Sequence, residues 1–163
     1  EYNDIDMHVR NVVDAVIESG DNFVVIYPNN DYGSEFILNA YKKLKDNDRF
    51  RIFSSLRFEY FLTLLRNTKY IIGNSSVGIR EAPHYGIPTV NIGSRQKGRA
   101  LSKQIIDCDY SQESIIASIR RTETLKIVPE KRFGLGNSDR SFLDIISSDS
   151  FWDISQQKSF MDL

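Results

Sequence analysis

The chain has 163 residues, 40% of them hydrophobic and 26% charged, with a formal net charge of −1. This is the profile of an ordinary globular protein, with length enough for one domain over 1–163 and a substantial core. The near-zero charge excludes wholesale attraction to nucleic acid or to an anionic membrane, so neither is expected as a partner.

Cys108 is the single cysteine, so no internal disulfide can form and the fold needs no oxidising compartment. Only His8 and His84 could join it, so no metal-ligand cluster is visible and no metal or cofactor is expected. No apolar run approaches the ~20 residues that span a bilayer, and no secretory signal precedes the first helix. A cytoplasmic protein is expected. The chain opens at Glu1, without methionine, and runs almost at once into a helical pattern. That reads as a piece cut from a longer chain.

Helix and strand alternate. Residues 5–19 carry Ile5, Val9, Val12, Val13, Val16 and Ile17 at helical spacing, with Gly20 as the stop. Residues 23–27 (FVVIY) form a continuous apolar run, as for a strand buried on both faces. A helix is predicted over 33–46, a weaker strand over 51–54, and a compact apolar helix over 57–67. Residues 70–73 (YIIG) and 89–92 (TVNI) read as strands, flanking a short helix from about 77 to 85 that Pro83 kinks or shortens. An edge strand is expected at 104–107 and a helix at 111–122. Two further helices, near 138–147 and 151–161, close the chain.

Strands separated by helices imply right-handed crossovers and a Rossmann-like α/β fold, a parallel sheet with helices on both faces. In such sheets ligands bind beyond the carboxyl ends of the strands. That rule selects four loops: PNNDYGS, SLRFE, NSSVG and GSRQKGR.

The strongest local signal is residues 73–83, GNSSVGIREAP. Ser75 and Ser76 present hydroxyls and N–H groups where a helix begins, which suits an anion. Simple N-capping by Ser76 explains the same residues. Glu81 lies too far along to complete a capping box. Accepting hydrogen bonds from a ribose diol is its natural use. In GSRQKGR, Arg95 could grip a phosphate bidentately, whereas Lys97 and Arg99 read as a solvated basic loop. In PNNDYGS, Asp31 or Ser34 suits a helix cap, and Asn29, directly after the strand, is the ligand candidate. The aromatics of 58–61 read mostly as core, with one free to stack on a base. His84 reads as structural, and Trp152 and Phe160 as packing residues.

The run from Gly73 to Arg99, GNSSVGIREAPHYGIPTVNIGSRQKGR, closely resembles the UDP-N-acetylglucosamine 2-epimerase family. The likeness is greatest to hydrolysing members that feed sialic-acid-type sugar biosynthesis. PNNDYGS, FGLGNS (133–138) and QQKSFMDL (156–163) resemble further family segments, so the likeness covers nearly the whole chain.

The resemblance implies the two-domain, GT-B-type architecture of many nucleotide-sugar glycosyltransferases, with this chain as the C-terminal, UDP-gripping half. Its last helices, about 138–163, would pack toward an N-terminal domain that this chain lacks. Ser75 and Ser76 would hold the diphosphate, Glu81 the ribose hydroxyls, and Arg95 the phosphate side, with Asn29 close by. Phe61 and the backbone near Leu56 would form the uracil pocket, a role that the resemblance alone supplies. The implied reaction eliminates UDP across C1 and C2 of the sugar and adds water to the glycal. The implied partner is a UDP-sugar, with a homodimer of the full-length protein left open. The acids and bases would belong mostly to the N-terminal half, and neither His8 nor His84 matches the family's histidine. No catalytic residue is therefore expected in this chain. The open alternatives are a non-hydrolysing epimerase and the donor domain of a GT-B glycosyltransferase.

Overall fold

The computed structural model describes residues 4–153, which divide at Glu130 into two compact units. In chain order the first unit holds α1 (Ile5–Glu18), β1 (Phe23–Ile26), α2 (Ser34–Ala40), β2 (Phe50–Phe53), α3 (Phe58–Arg66), β3 (Ile71–Gly73), α4 (Val77–Arg80), α5 (Ala82–Tyr85), β4 (Thr89–Ile92), β5 (Ile105–Cys108) and α6 (Gln112–Thr122). The second unit holds α7 (Ser138–Ile146) and α8 (Asp149–Trp152).

All strand pairs are parallel. β1 pairs with β2, and β4 pairs with β3 on one side and β5 on the other. Phe23 and Ile72 each pack against both of the larger core clusters, which joins the two ladders through side chains. Asp21, just before β1, accepts from Lys69 Nζ and from the Tyr70 hydroxyl, each at 3.0 Å, just before β3. The two ladders thus begin at one edge, and the loops that follow the strands lie at the opposite one.

Side-chain parity sets the layers. On one face, Ile72, Val90, Ile92 and Cys108 meet Ala15 of α1 and Ile115 and Ile119 of α6. Nearby, Val13 and Val16 meet Leu44 and Phe50. On the other face, Ile71 meets Leu65 of α3, Ala82 of α5 and Ile87. Helices therefore cover both faces of β3–β4, and β4 is buried at every position. Each such aliphatic side chain contributes about 1.5–3 kcal/mol by leaving water.

Four expectations need correction. β1 is not buried on both faces: Val24 is 46% exposed and, on the same side of the ladder, Phe53 of β2, opposite Ile26, is 41% exposed. The helix over 33–46 tightens to a 3₁₀ turn at Tyr41–Leu44, where Leu44 enters the core. The aromatics of 58–61 are not mostly core, since Phe58 and Tyr60 are 60% and 62% exposed and only Phe61 packs inward. Trp152 is not a buried packing residue: it is 69% exposed, and its indole N–H donates to the Ile146 carbonyl at 2.7 Å. Phe160 and most of the last predicted helix lie outside the described residues. The expected edge strand is present one residue later, and the helix at 77–85 is broken at Glu81, with Pro83 in the first turn of α5.

Candidate functional site at the carboxyl edge of the sheet

Two loops at this edge are tied to one another and to the core. The first follows β3 and carries Asn74, Ser75 and Ser76 into α4. Helix α4 lies close over β4 because Gly78 has no side chain: a Cβ there would meet Thr89 Cγ2 at 2.6 Å. In its place the Thr89 hydroxyl donates to the Gly78 carbonyl at 2.6 Å, a fully buried bond. The helix that follows the turn is thereby held to the strand.

The second loop follows β4. It opens at Gly93, with φ at 77°, where a Cβ would also run into the Tyr110 ring. His8 of α1 stacks on Tyr110 with ring centroids 4.1 Å apart, and Asn11 Nδ2 donates to the Tyr110 carbonyl at 3.0 Å. The loop then turns back on itself, with Lys97 N–H donating to the Ser94 carbonyl and Arg99 N–H to the Gln96 carbonyl. Arg95, Lys97 and Arg99 are exposed, while Gln96 between them is 3% exposed. Gln96 Nε2 donates to the Asn74 carbonyl at 3.0 Å, joining the second loop to the first.

The serine turn is not a side-chain cap. Ser76 occupies the cap position, but its hydroxyl makes no capping bond. Its carbonyl accepts from Ile79 and Arg80, and Val77 N–H reaches Ser75 Oγ at a long 3.4 Å. Among the described residues no acceptor meets the N–H of Ser75 or Ser76, and both donors lie at a turn that water or an anion can reach. Glu81 sits at the break between α4 and α5. Its Oε2 is buried and has no hydrogen-bond partner among the described residues. A buried carboxylate oxygen without a donor is costly, and hydroxyl donors from a ligand are one way to satisfy it.

The remaining candidates come from other loops and helices. Asn29 is exposed in the loop after β1, and Leu56 is half-buried in the loop after β2. Phe61 of α3 is half-buried against the Leu65–Ala82–Ile87 cluster. Neither Asp31 nor Ser34 caps α2 with its side chain; Gly33 takes the cap position, and the Ser34 N–H donates to the Asp31 carbonyl. His84 is exposed and meets the edge of Tyr85. Among the described residues, no group of three His, Cys, Asp or Glu gathers as metal ligands, and no helix is long and apolar enough to cross a membrane.

Sequence reasoning missed Gln96, Asn91 and Tyr110. Gln96 is a neutral residue among cations, and nothing in GSRQKGR marks it as the buried one. Asn91 is 1% exposed in β4, and its Nδ2 donates to Asp107 Oδ1 of β5 at 2.7 Å. A polar residue inside an apolar strand was the available signal. Burial pushes the Cys108 thiol up to about 11, and burial with the bond to Asp21 raises the Tyr70 phenol well above its ordinary range. Tyr70 lies at the opposite edge of the sheet, and Cys108 ends β5, where its carbonyl accepts from the Gly93 N–H at 2.9 Å.

Comparison with known proteins shows the family and the fold. The family model for UDP-N-acetylglucosamine 2-epimerase matches residues 2–147. A UDP-N-acetylglucosamine 2-epimerase from Neisseria meningitidis serogroup B is 44% identical over 149 residues, covering 89% of this chain and 39% of that protein. A UDP-N,N'-diacetylbacillosamine 2-epimerase (hydrolyzing) from Legionella pneumophila is 31% identical over 120 residues, covering 74% of this chain and 32% of that protein. The fold matches that of Methanocaldococcus jannaschii UDP-GlcNAc 2-epimerase, solved in complex with UDP-GlcNAc and UDP. The TM-score is 0.71 at 20% identity, over 86% of this chain and 40% of that one. This chain thus spans well under half the length of the proteins it matches. The chain belongs to the UDP-N-acetylglucosamine 2-epimerase family.

Proposed function

We propose that this chain is the UDP-gripping half of a hydrolysing UDP-N-acetylglucosamine 2-epimerase, working in the cytoplasm. The observation that carries the reading is Glu81. It places an undonated, buried carboxylate oxygen just beyond a serine turn whose N–H groups are unspent. A nucleoside diphosphate brings the matching groups, a ribose diol for the carboxylate and anionic oxygens for the turn. Ser75 and Ser76 would hold the diphosphate, and exposed Arg95 on the adjoining loop would approach it from the side. Asn29 would lie near the ligand. Phe61 and the backbone near Leu56 would receive the uracil.

The chemistry follows from what such a site stabilises. Removal of the C2 proton and cleavage of the C1–O bond release UDP and leave a glycal. Negative charge grows on the leaving diphosphate, and fixed donors aimed at that charge lower the barrier. Water then adds across the double bond, its oxygen to C1 and a proton to C2, giving a free 2-epimerised sugar. The groups that move these protons would belong to a second domain of the full-length protein, closing over the sugar. Exposed Phe142, Leu143, Ile145 and Trp152 on α7 and α8 are the apolar surface that we assign to packing on that domain. This chain alone is expected to bind UDP and turn nothing over.

Product analysis of the full-length protein with UDP-N-acetylglucosamine tests the assignment. Free N-acetylmannosamine with UDP is the expected result. UDP-N-acetylmannosamine instead would replace the hydrolysing assignment with a non-hydrolysing one, and no product at all would reject this substrate.

A further inference from the structure

We infer that Gln96 is a positioning residue for diphosphate binding, a tie that holds the Ser75–Ser76 turn and Arg95 at a fixed separation. The inference rests on the proposed UDP site and adds a residue to it. Gln96 is 3% exposed although its neighbours Arg95 and Lys97 face solvent. Its Nε2 donates to the Asn74 carbonyl at 3.0 Å. Asn74 immediately precedes Ser75, and Gln96 immediately follows Arg95. The bond therefore joins the two loops one residue from the proposed phosphate groups on each side.

The strands alone do not fix that separation. β3 and β4 are in register only as far as Gly73 and Asn91, and beyond them the backbones part into turns. This side-chain bond links the two loops directly. The other end of the amide argues against a purely structural purpose. Gln96 Oε1 is buried with no hydrogen-bond partner among the described residues. A leucine of similar size would remove that unsatisfied oxygen, and the Asn74 carbonyl that loses its donor belongs to an exposed residue where water can replace it, so the net effect on stability is small. Stability is thus a weak reason for a glutamine here, whereas alignment of two anion-binding loops needs its donor.

The test compares the wild-type chain with Gln96→Leu in two readouts. The first is the amide NMR spectrum without ligand, with thermal midpoint alongside. The second is titration with UDP and with uridine. We expect an unchanged or slightly raised midpoint, and shifts at Ser75, Ser76 and Arg95 but not at Val90 or Ile115. UDP affinity should fall by roughly tenfold, the weight of one charge-assisted hydrogen bond, while uridine affinity holds. Gln96→Asn, whose shorter amide reaches Asn74 only if the loop gives, should lie between. If the serine turn does not shift, or UDP and uridine weaken equally, the tie is overturned. If Gln96→Leu unfolds the chain, Gln96→Asn serves as the variant under the same two criteria. A wild-type chain that binds UDP no better than uridine rejects the diphosphate site itself. The ligand-free shifts then still decide whether Gln96 holds the turn.

Discussion

The two sides of the sheet differ in how much of their loop edge is built before any ligand arrives. Around β4, helices cover both faces, Thr89 is bonded to α4, Asn91 to β5, and Gln96 ties the loops after β3 and β4 together. Around β1 and β2 one face is open, and Asn29, in the loop after β1, is exposed. The contrast suits a division of labour. Anion recognition depends on fixed donors, because their geometry is set before charge develops. A base pocket built on apolar contact tolerates adjustment, because dispersion is not directional.

Substitutions can break or sharpen this contrast. The largest effect is expected at Ile115, which is fully buried against β4: Ile115→Ala should cost about 2–5 kcal/mol in denaturant unfolding. Val24→Ser on the open face of β1 should cost less than about 1 kcal/mol. Equal losses would mean that the two ladders share one protected core. Next comes Gly78→Ala, whose new methyl meets Thr89; a loss of about 1–3 kcal/mol is expected, with displacement of the serine turn. Retained stability with an unmoved turn would show that α4 is not held where we place its anchor. Glu81→Ala should weaken UDP binding by about 1–3 kcal/mol, and unchanged affinity would remove the ribose role.

The smallest effect concerns alkaline pH. The Cys108 thiol is raised from an ordinary 9.0 to about 11, chiefly by burial. The protonated folded form is therefore fully stable below pH 9, and stability is lost as pH rises from 9 toward 11, because only the unfolded thiol ionises there. Cys108→Ala should flatten that slope relative to wild type. Tyr70, also raised by burial, contributes a separate loss above pH 10 that remains in the variant. An unchanged slope between pH 9 and 10 would mean that Cys108 ionises as freely folded as unfolded.

Much of this was legible beforehand. The apolar runs of β3 and β4, the helical spacing in α1 and α6, and the glycine and serine punctuation after each strand reflect local preference, and local preference is written in order along the chain. Ser75, Ser76, Glu81 and Arg95 are the candidates that this route selects. What was not legible depends on partners distant in sequence. Gln96 looks like part of a solvated loop until Asn74, from another strand, supplies its acceptor. FVVIY reads as doubly buried, yet which face a helix covers depends on crossovers elsewhere in the fold. The exposed rings of Phe58 and Tyr60 show the same thing: apolarity states a preference for burial, and topology decides whether it is met.

The most direct test is an NMR titration of this chain with UDP, with uridine and ADP as controls. The account predicts that UDP binds best and that shifts concentrate at Asn29, residues 56–61, Ser75, Ser76, Glu81 and Arg95. Equal binding of ADP, or shifts centred away from the loops after β3 and β4, would contradict a uridine-diphosphate site on this edge of the sheet.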